Sequence, residues 1–219
     1  MTQYGAAALA LLFSLIPSSL AAQQPVQFTV SGFGGAYIPA SDLFDELFTE
    51  GALRFGQETS FTLGGRFAVW PIPRLGIEAE GAFTGSDVEF KGVLDATPFD
   101  TTLSANVFYG SVNVIYALIR PPLEPLAIYV SGGIGLVARG GFFFDDFFQL
   151  IIDPRFETET TNVAGVAGFG IRYGISPLLN IRGDFKDYIS SNRPFAGLDS
   201  KLQNDLLITV ALEFVFGGR

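Results

Sequence analysis

From residue 26 to residue 216 the chain alternates apolar and polar side chains with a period of two, in eight separate segments. Over 26–38, Val26, Phe28, Val30, Ala36 and Ile38 oppose Gln27, Thr29 and Ser31. Over 59–70, Phe61, Leu63, Phe67 and Val69 oppose Ser60, Thr62 and Arg66; over 75–84, Leu75, Ile77, Ala79 and Phe83 oppose Glu78, Glu80 and Thr84. The segments 106–116 and 126–139 set Phe108, Val112, Val114, Tyr116, Ile128, Val130, Ile134 and Leu136 against Tyr109, Ser111, Asn113, Tyr129, Ser131 and Arg139. The last three, 162–173, 179–188 and 204–216, place Val163, Phe169, Ile171, Ile181, Phe185, Ile208, Val210, Leu212, Phe214 and Phe216 opposite Asn162, Arg172, Arg182, Asp184, Lys186, Thr209 and Glu213. Successive side chains of a strand point to opposite sides of the sheet, so this pattern predicts eight two-faced β-strands.

The connectors order the strands. Three are short and marked by proline: Pro71-Ile72-Pro73-Arg74, Arg120 to Pro125, and Ser176-Pro177. Four are long, roughly 39–58, 85–104, 140–161 and 189–203, and long and short alternate beginning with a long one. That order describes an up-and-down antiparallel sheet with its elaboration at one end. An even number of strands lets such a sheet close on itself and remove its edges.

Two closed arrangements fit: a soluble barrel with its apolar face inward, or an outer-membrane barrel with its apolar face on lipid. Charge separates them. The polar faces carry Arg66, Arg139, Arg172, Arg182 and Lys186 against Glu78, Glu80, Asp184 and Glu213, five positive and four negative. The remaining polar-face residues are mostly Gly, Ser, Thr and Asn, whereas a water-facing sheet normally carries Lys and Glu throughout. Near-balance suits a filled lumen, because an unpaired buried charge is costly. Neighbouring strands put Arg66 beside Glu78 and Glu80, Arg172 beside Arg182 and Asp184, and Glu213 at the same level. Tyr116 and Tyr173 near the short turns, with Phe61 and Phe83 near the long loops, match interfacial girdles. These positions predict a membrane barrel.

Residues 1–22 contain no charged side chain, hold an eleven-residue apolar run from Ala6 to Ile16, and end in small residues at Ala21-Ala22. They read as an export signal, with 23–219 as the barrel domain.

Three stretches, YVSGGIGLVARG (129–140), GVAGFGIRYGISPLLNIRGDFKDY (165–188) and LLITVALEFVFGG (206–218), resemble the small OmpA-like and opacity-type outer-membrane β-barrel domains. The resemblance covers essentially the whole chain after residue 22. It implies an eight-stranded antiparallel transmembrane barrel in the bacterial outer membrane, with four long extracellular loops and three short periplasmic turns. Implied partners are outer-membrane lipid and lipopolysaccharide, and the barrel-assembly machinery that reads the last strand. Here Phe216 is followed by Gly217-Gly218-Arg219, where that signal usually ends on the aromatic.

Composition narrows the chemistry. The 219 residues include no Cys and no His, which excludes thiol and imidazole catalysis and the usual structural zinc sites. Outer-membrane enzymes of this size class rely on histidine, so no enzymatic activity is expected. The net charge of −9 argues against nucleic acid as a partner. Gly133-Ile134-Gly135-Leu136-Val137-Ala138, with Asp153 further on, has the spacing of a dinucleotide fingerprint, but Arg139-Gly140-Gly141 would break the helix it requires. Glu78 and Glu80 share a face, yet a plugged lumen gives a glycoside no access. No cofactor and no metal are expected.

The long loops carry what remains. They are acidic: Asp42, Asp45, Glu46 and Glu50; Asp87, Glu89, Asp95 and Asp100; Asp145, Asp146, Asp153, Glu157 and Glu159. Divalent-cation bridging to lipopolysaccharide, attraction of a basic partner and simple solvation all fit. Behind Asp42, the spacing of Leu43, Phe44, Leu47 and Phe48 predicts a short amphipathic helix. The third loop crowds Phe142, Phe143, Phe144, Phe147 and Phe148 around Asp145 and Asp146. Packing of the two Phe-rich segments as a lid, contact with the lipid interface, and contact with an extracellular ligand or host surface are the three expected uses. The functional expectation is a non-enzymatic surface protein supporting envelope integrity or adhesion, the alternative a narrow pore or carrier for small or hydrophobic molecules.

Overall fold

The computed structural model describes residues 26–40, 44–48, 51–94, 97–119, 125–141, 161–192 and 201–217. They form twelve strands: β1 (Gln27–Pro39), β2 (Phe44–Phe48), β3 (Gly51–Gln57), β4 (Ser60–Ile72), β5 (Leu75–Gly85), β6 (Val88–Leu94), β7 (Thr97–Leu103), β8 (Asn106–Ile119), β9 (Leu126–Gly140), β10 (Thr161–Ser176), β11 (Leu179–Asn192) and β12 (Lys201–Gly217). Eight of them close into an antiparallel barrel in the order β1-β12-β11-β10-β9-β8-β5-β4. The seam is made by β1, which pairs with β12 on one side and β4 on the other, Ser31 standing opposite both Glu213 and Arg66. The expected export signal, residues 1–22, lies outside the described residues.

The four remaining strands correct the expectation of plain loops. Within the first two long connectors, β2-β3-β6-β7 make a second, four-stranded antiparallel sheet at the long-loop end. The short helix expected at 43–48 is instead β2. Its register runs Phe44 to Phe55, Asp45 to Arg54 and Phe48 to Gly51, and β3 pairs onward with β6. One to two helical turns are marginal on their own, and a ladder to a strand that is itself paired outweighs that local preference. In the same register, Lys91 stands between Arg54 and Asp100, so each outer acidic position faces an inner basic one across four strands.

Side chains of the barrel sort by parity. Outward positions are apolar and exposed, from Phe28 and Val30 on β1 to Ile134 at 71% and Val163 at 72% exposure. A water-soluble monomer rarely exposes a continuous apolar wall of this kind. Phe61 and Phe83 near the long connectors, with Tyr116 and Tyr173 near the short turns, project from the two rims of that wall. Inward positions mix small, aromatic, aliphatic, polar and charged side chains, and almost all are buried.

Candidate functional site

The inward faces build a lumen in three levels. Nearest the short turns is a charged plug. Arg182 on β11 is its hub: its guanidinium donates to Asp184 at 2.8 Å and 3.0 Å, to both carboxylate oxygens of Glu78, and to the Tyr129 hydroxyl. It also lies 3.5 Å from Glu213. Lys186, two pleats along the same strand, donates to Glu78 and to Glu80, each at 2.8 Å. Arg66 on β4 pairs with Glu80, reaches across to Asp184 at 2.7 Å, and donates to the Thr209 hydroxyl at 2.7 Å. Tyr129 donates to Asp184 at 2.6 Å, and Tyr188 to Glu80 at 2.7 Å. Tyr129 has room because β10 presents Gly170 there, where a Cβ would meet the phenol oxygen at 2.3 Å.

Arg172 departs from the sequence expectation. Register places it directly opposite Arg182, a like charge, and it pairs with Glu213 at 3.1 Å rather than with Asp184. Its guanidinium also stacks over Trp70, 4.6 Å from the ring centroid. Glu78 similarly turns from Arg66 to Arg182 and Lys186. Both changes have one cause: in a closed barrel a long side chain reaches across the lumen as easily as along the wall.

Above the plug is an apolar, aromatic level of Phe33, Tyr37, Val107, Tyr109, Val137, Val166, Tyr188 and Leu207. Tyr109 bridges Tyr37 and Tyr188, with ring centroids 5.6 Å and 5.1 Å away. Beneath it, the Arg66 guanidinium sits 4.0 Å over the Phe33 ring.

The third level, at the long-loop end, holds a second ion pair. Arg139 on β9 donates to Asp205 on β12 at 2.6 Å and to the Gln57 side-chain oxygen at 3.3 Å. The Tyr37 hydroxyl is 2.9 Å from Asp205 and 3.0 Å from the same Gln57 oxygen. Sequence reading missed Asp205 and Gln57. The signal for Asp205 was available, since 205 shares the parity of Thr209 and Glu213 on β12. With it, the buried charged side chains of the described residues are Arg66, Arg139, Arg172, Arg182 and Lys186 against Glu78, Glu80, Asp184, Asp205 and Glu213, five of each sign. The plug alone balances at four and four, and Arg139 with Asp205 adds one of each.

The loop positions are divided. Phe44 and Phe48 lie on β2 of the second sheet. Phe142, Phe143, Phe144, Phe147 and Phe148 fall outside the described residues, as do Asp145 and Asp146. No group of three or more metal-ligating side chains occurs among the described residues. Of the described acidic positions on the second connector, Glu89 pairs with Lys91 at 2.6 Å on an exposed surface, an arrangement of small energetic weight.

No curated protein sequence matches the chain. Among solved structures, the outer membrane protein OprG from Pseudomonas aeruginosa is similar with a TM-score of 0.60 and 12% identity, over 87% of this chain and 95% of its own. Neisserial surface protein A is similar with a TM-score of 0.51 and 11% identity, over 88% and 97%. At these identities the likeness is one of fold. The sequence model of the outer membrane protein beta-barrel domain matches residues 6–214, the apolar wall and polar lumen are what that setting requires, and the chain therefore belongs to this family of bacterial outer-membrane β-barrels.

Proposed function

We propose that the protein is a non-enzymatic anchor and display scaffold, a barrel closed to solute that carries its working surface on the long loops at the cell exterior. The observation that carries this reading is the lumen: ten buried charged side chains, balanced five to five, share hydrogen bonds across it. Conduction would require opening a level in which Arg182 alone engages Glu78, Asp184 and Tyr129, and each ion left unpaired costs several kcal/mol, on the order of 3–5. The absence of histidine and cysteine from the chain argues in the same direction against hydrolytic chemistry.

The exterior would then do the work. The second sheet carries the acidic positions Asp45, Glu46, Asp87, Glu89 and Asp100 at or beside its strands, and the third loop adds its Phe-rich segment. Contact with lipopolysaccharide through divalent cations and contact with a host surface or other extracellular ligand both suit acidic, aromatic loops. The rival reading, a narrow pore or carrier, is separated by single-channel recording of the purified protein in planar bilayers. Silence in the wild type and in Glu78→Ala and Arg66→Ala supports the scaffold. Reproducible wild-type conductance that rises in those variants overturns it in favour of a gated pore.

A further inference from the structure

The Arg139–Asp205 level differs from the plug in two respects. First, it joins the two sheets. Arg139 belongs to β9, Asp205 to β12 and Tyr37 to β1, three barrel strands, whereas Gln57 ends β3 of the second sheet. One side-chain oxygen of Gln57 takes hydrogen bonds from both Tyr37 and Arg139. Its register partner Val88, at the start of β6, is fully buried beside it. The root of the second sheet is thus tied into the barrel interior. Among the described residues, the other ties at this root are turn contacts: Glu58 N–H to the Asp87 carbonyl at 2.9 Å, the Ser86 hydroxyl to the Glu58 carbonyl at 2.6 Å, Ser86 N–H to the Ala105 carbonyl at 3.2 Å, and Ala105 N–H to the Asp87 carboxylate at 3.4 Å.

Second, this level is incompletely satisfied. Among the described residues, the Gln57 side-chain nitrogen, one terminal nitrogen of Arg139, both amide atoms of Gln203 and the Ser190 hydroxyl are buried without a hydrogen-bond partner. Gln203 stands opposite Ser190 and one inward step beyond Asp205 on β12, so these groups share one end of the lumen. Their residues are 1–8% exposed. Desolvated, unpartnered polar groups raise the free energy of the closed arrangement, and water entering on release would satisfy them. The plug also leaves buried atoms unbonded among the described residues, Glu213 Oε2, Asn113 Oδ1 and Ser131 Oγ. Its hub is saturated, every nitrogen of Arg182 being engaged, whereas the tie itself is not.

We propose that Gln57, with Tyr37, Arg139 and Asp205, forms a releasable latch that fixes the second sheet to the barrel rim and lets water into the upper lumen when it opens. The surface display is then coupled to the interior: a change at the latch alters how the sheet is presented without touching its exposed residues, while the plug below stays shut.

Hydrogen–deuterium exchange on the full-length protein in lipid nanodiscs tests this, with amides of β3 and β6 as the readout and those of β10 and β11 as internal reference. Two substitutions carry opposite expectations. Gln57→Ala removes the shared acceptor and speeds β3 and β6 exchange about tenfold. Gln203→Leu removes two unpartnered atoms from the closed state and slows it. Tyr37→Phe, which keeps the ring and loses only the hydroxyl, follows Gln57→Ala. Unchanged exchange in Gln57→Ala and Tyr37→Phe overturns the latch, since the sheet is then held by its own ladder and turn contacts. Faster or unchanged exchange in Gln203→Leu overturns its releasability.

Discussion

Arg182→Met is expected to lower the unfolding free energy by about 3–5 kcal/mol, the usual result of removing one partner from a buried ionic cluster. The substitution keeps most of the volume of the stem but leaves Glu78 with Lys186 alone, Asp184 with Arg66 and Tyr129, and Glu213 with Arg172 and Asn180. It also shifts the lumen from neutral to a net negative charge in a space where every side chain is desolvated. Urea titration of the protein refolded into lipid vesicles, followed by the heat-modifiable shift on gels, measures the loss. A companion prediction fixes the cause. Glu78→Gln in the Arg182→Met background restores charge balance and should recover part of the stability, a coupling between contacting residues that a double-mutant cycle isolates. Independent, additive losses would show that the cluster does not act as a unit.

Gly35→Val is expected to abolish folding, and Gly32→Val, on the same strand, to be tolerated. At Gly35 an added Cβ would lie 2.0 Å from the Ile208 carbonyl oxygen and 2.7 Å from the Thr209 Cα, both on β12 across the closing seam. Neither backbone atom can yield without separating the strands, so the last pairing of the barrel would not form. At Gly32 nothing lies within 4 Å of the same added atom. That position faces the apolar exterior beside Leu212, where a β-branched residue suits a strand better than glycine. The fraction of heat-modifiable protein after refolding reads both outcomes. Equal behaviour of the two variants would show that the seam is not closed in this register.

The two-residue period carried most of the fold into view as strand number and two distinct faces. The alternation of long and short connectors added closure, and the sparse, near-balanced charge of the polar face identified the lipid-facing side. Ser31, Arg66 and Glu213 could be assigned inward from parity alone. Their partners could not. Arg66 meets Asp184 and Arg182 meets Glu78 across the lumen, over sequence separations of 118 and 104 residues, and which strands face each other depends on the stagger with which the barrel closes. Arg172 shows the limit clearly: adjacency set it beside Arg182 and Asp184, but Asp184 is engaged by Arg182, Arg66 and Tyr129, and the Arg172 guanidinium joins Asn180 on Glu213 instead. The excess of one cation in the nine charges first counted was itself a clue to Asp205. The second sheet was hidden for a different reason. Phe44 to Phe48 is too short to establish a period of its own, and although its hairpin with β3 is local, the pairing of β3 with β6 joins two separate connectors that no local pattern relates.

The central claim is a barrel whose outer wall meets lipid and whose interior, with the rim latch closed, admits neither lipid nor water. A nitroxide scan of β12 in the naturally cysteine-free chain tests it most directly, one label at a time from Leu206 to Phe214, reading collisions with oxygen and with a water-soluble nickel chelate in lipid bilayers. Labels at 206, 208, 210, 212 and 214 should meet oxygen freely and nickel rarely; those at 207, 209, 211 and 213 should be shielded from both. Strong nickel accessibility at the odd positions would reveal a water-filled channel, and at the even positions a barrel that does not face lipid at all.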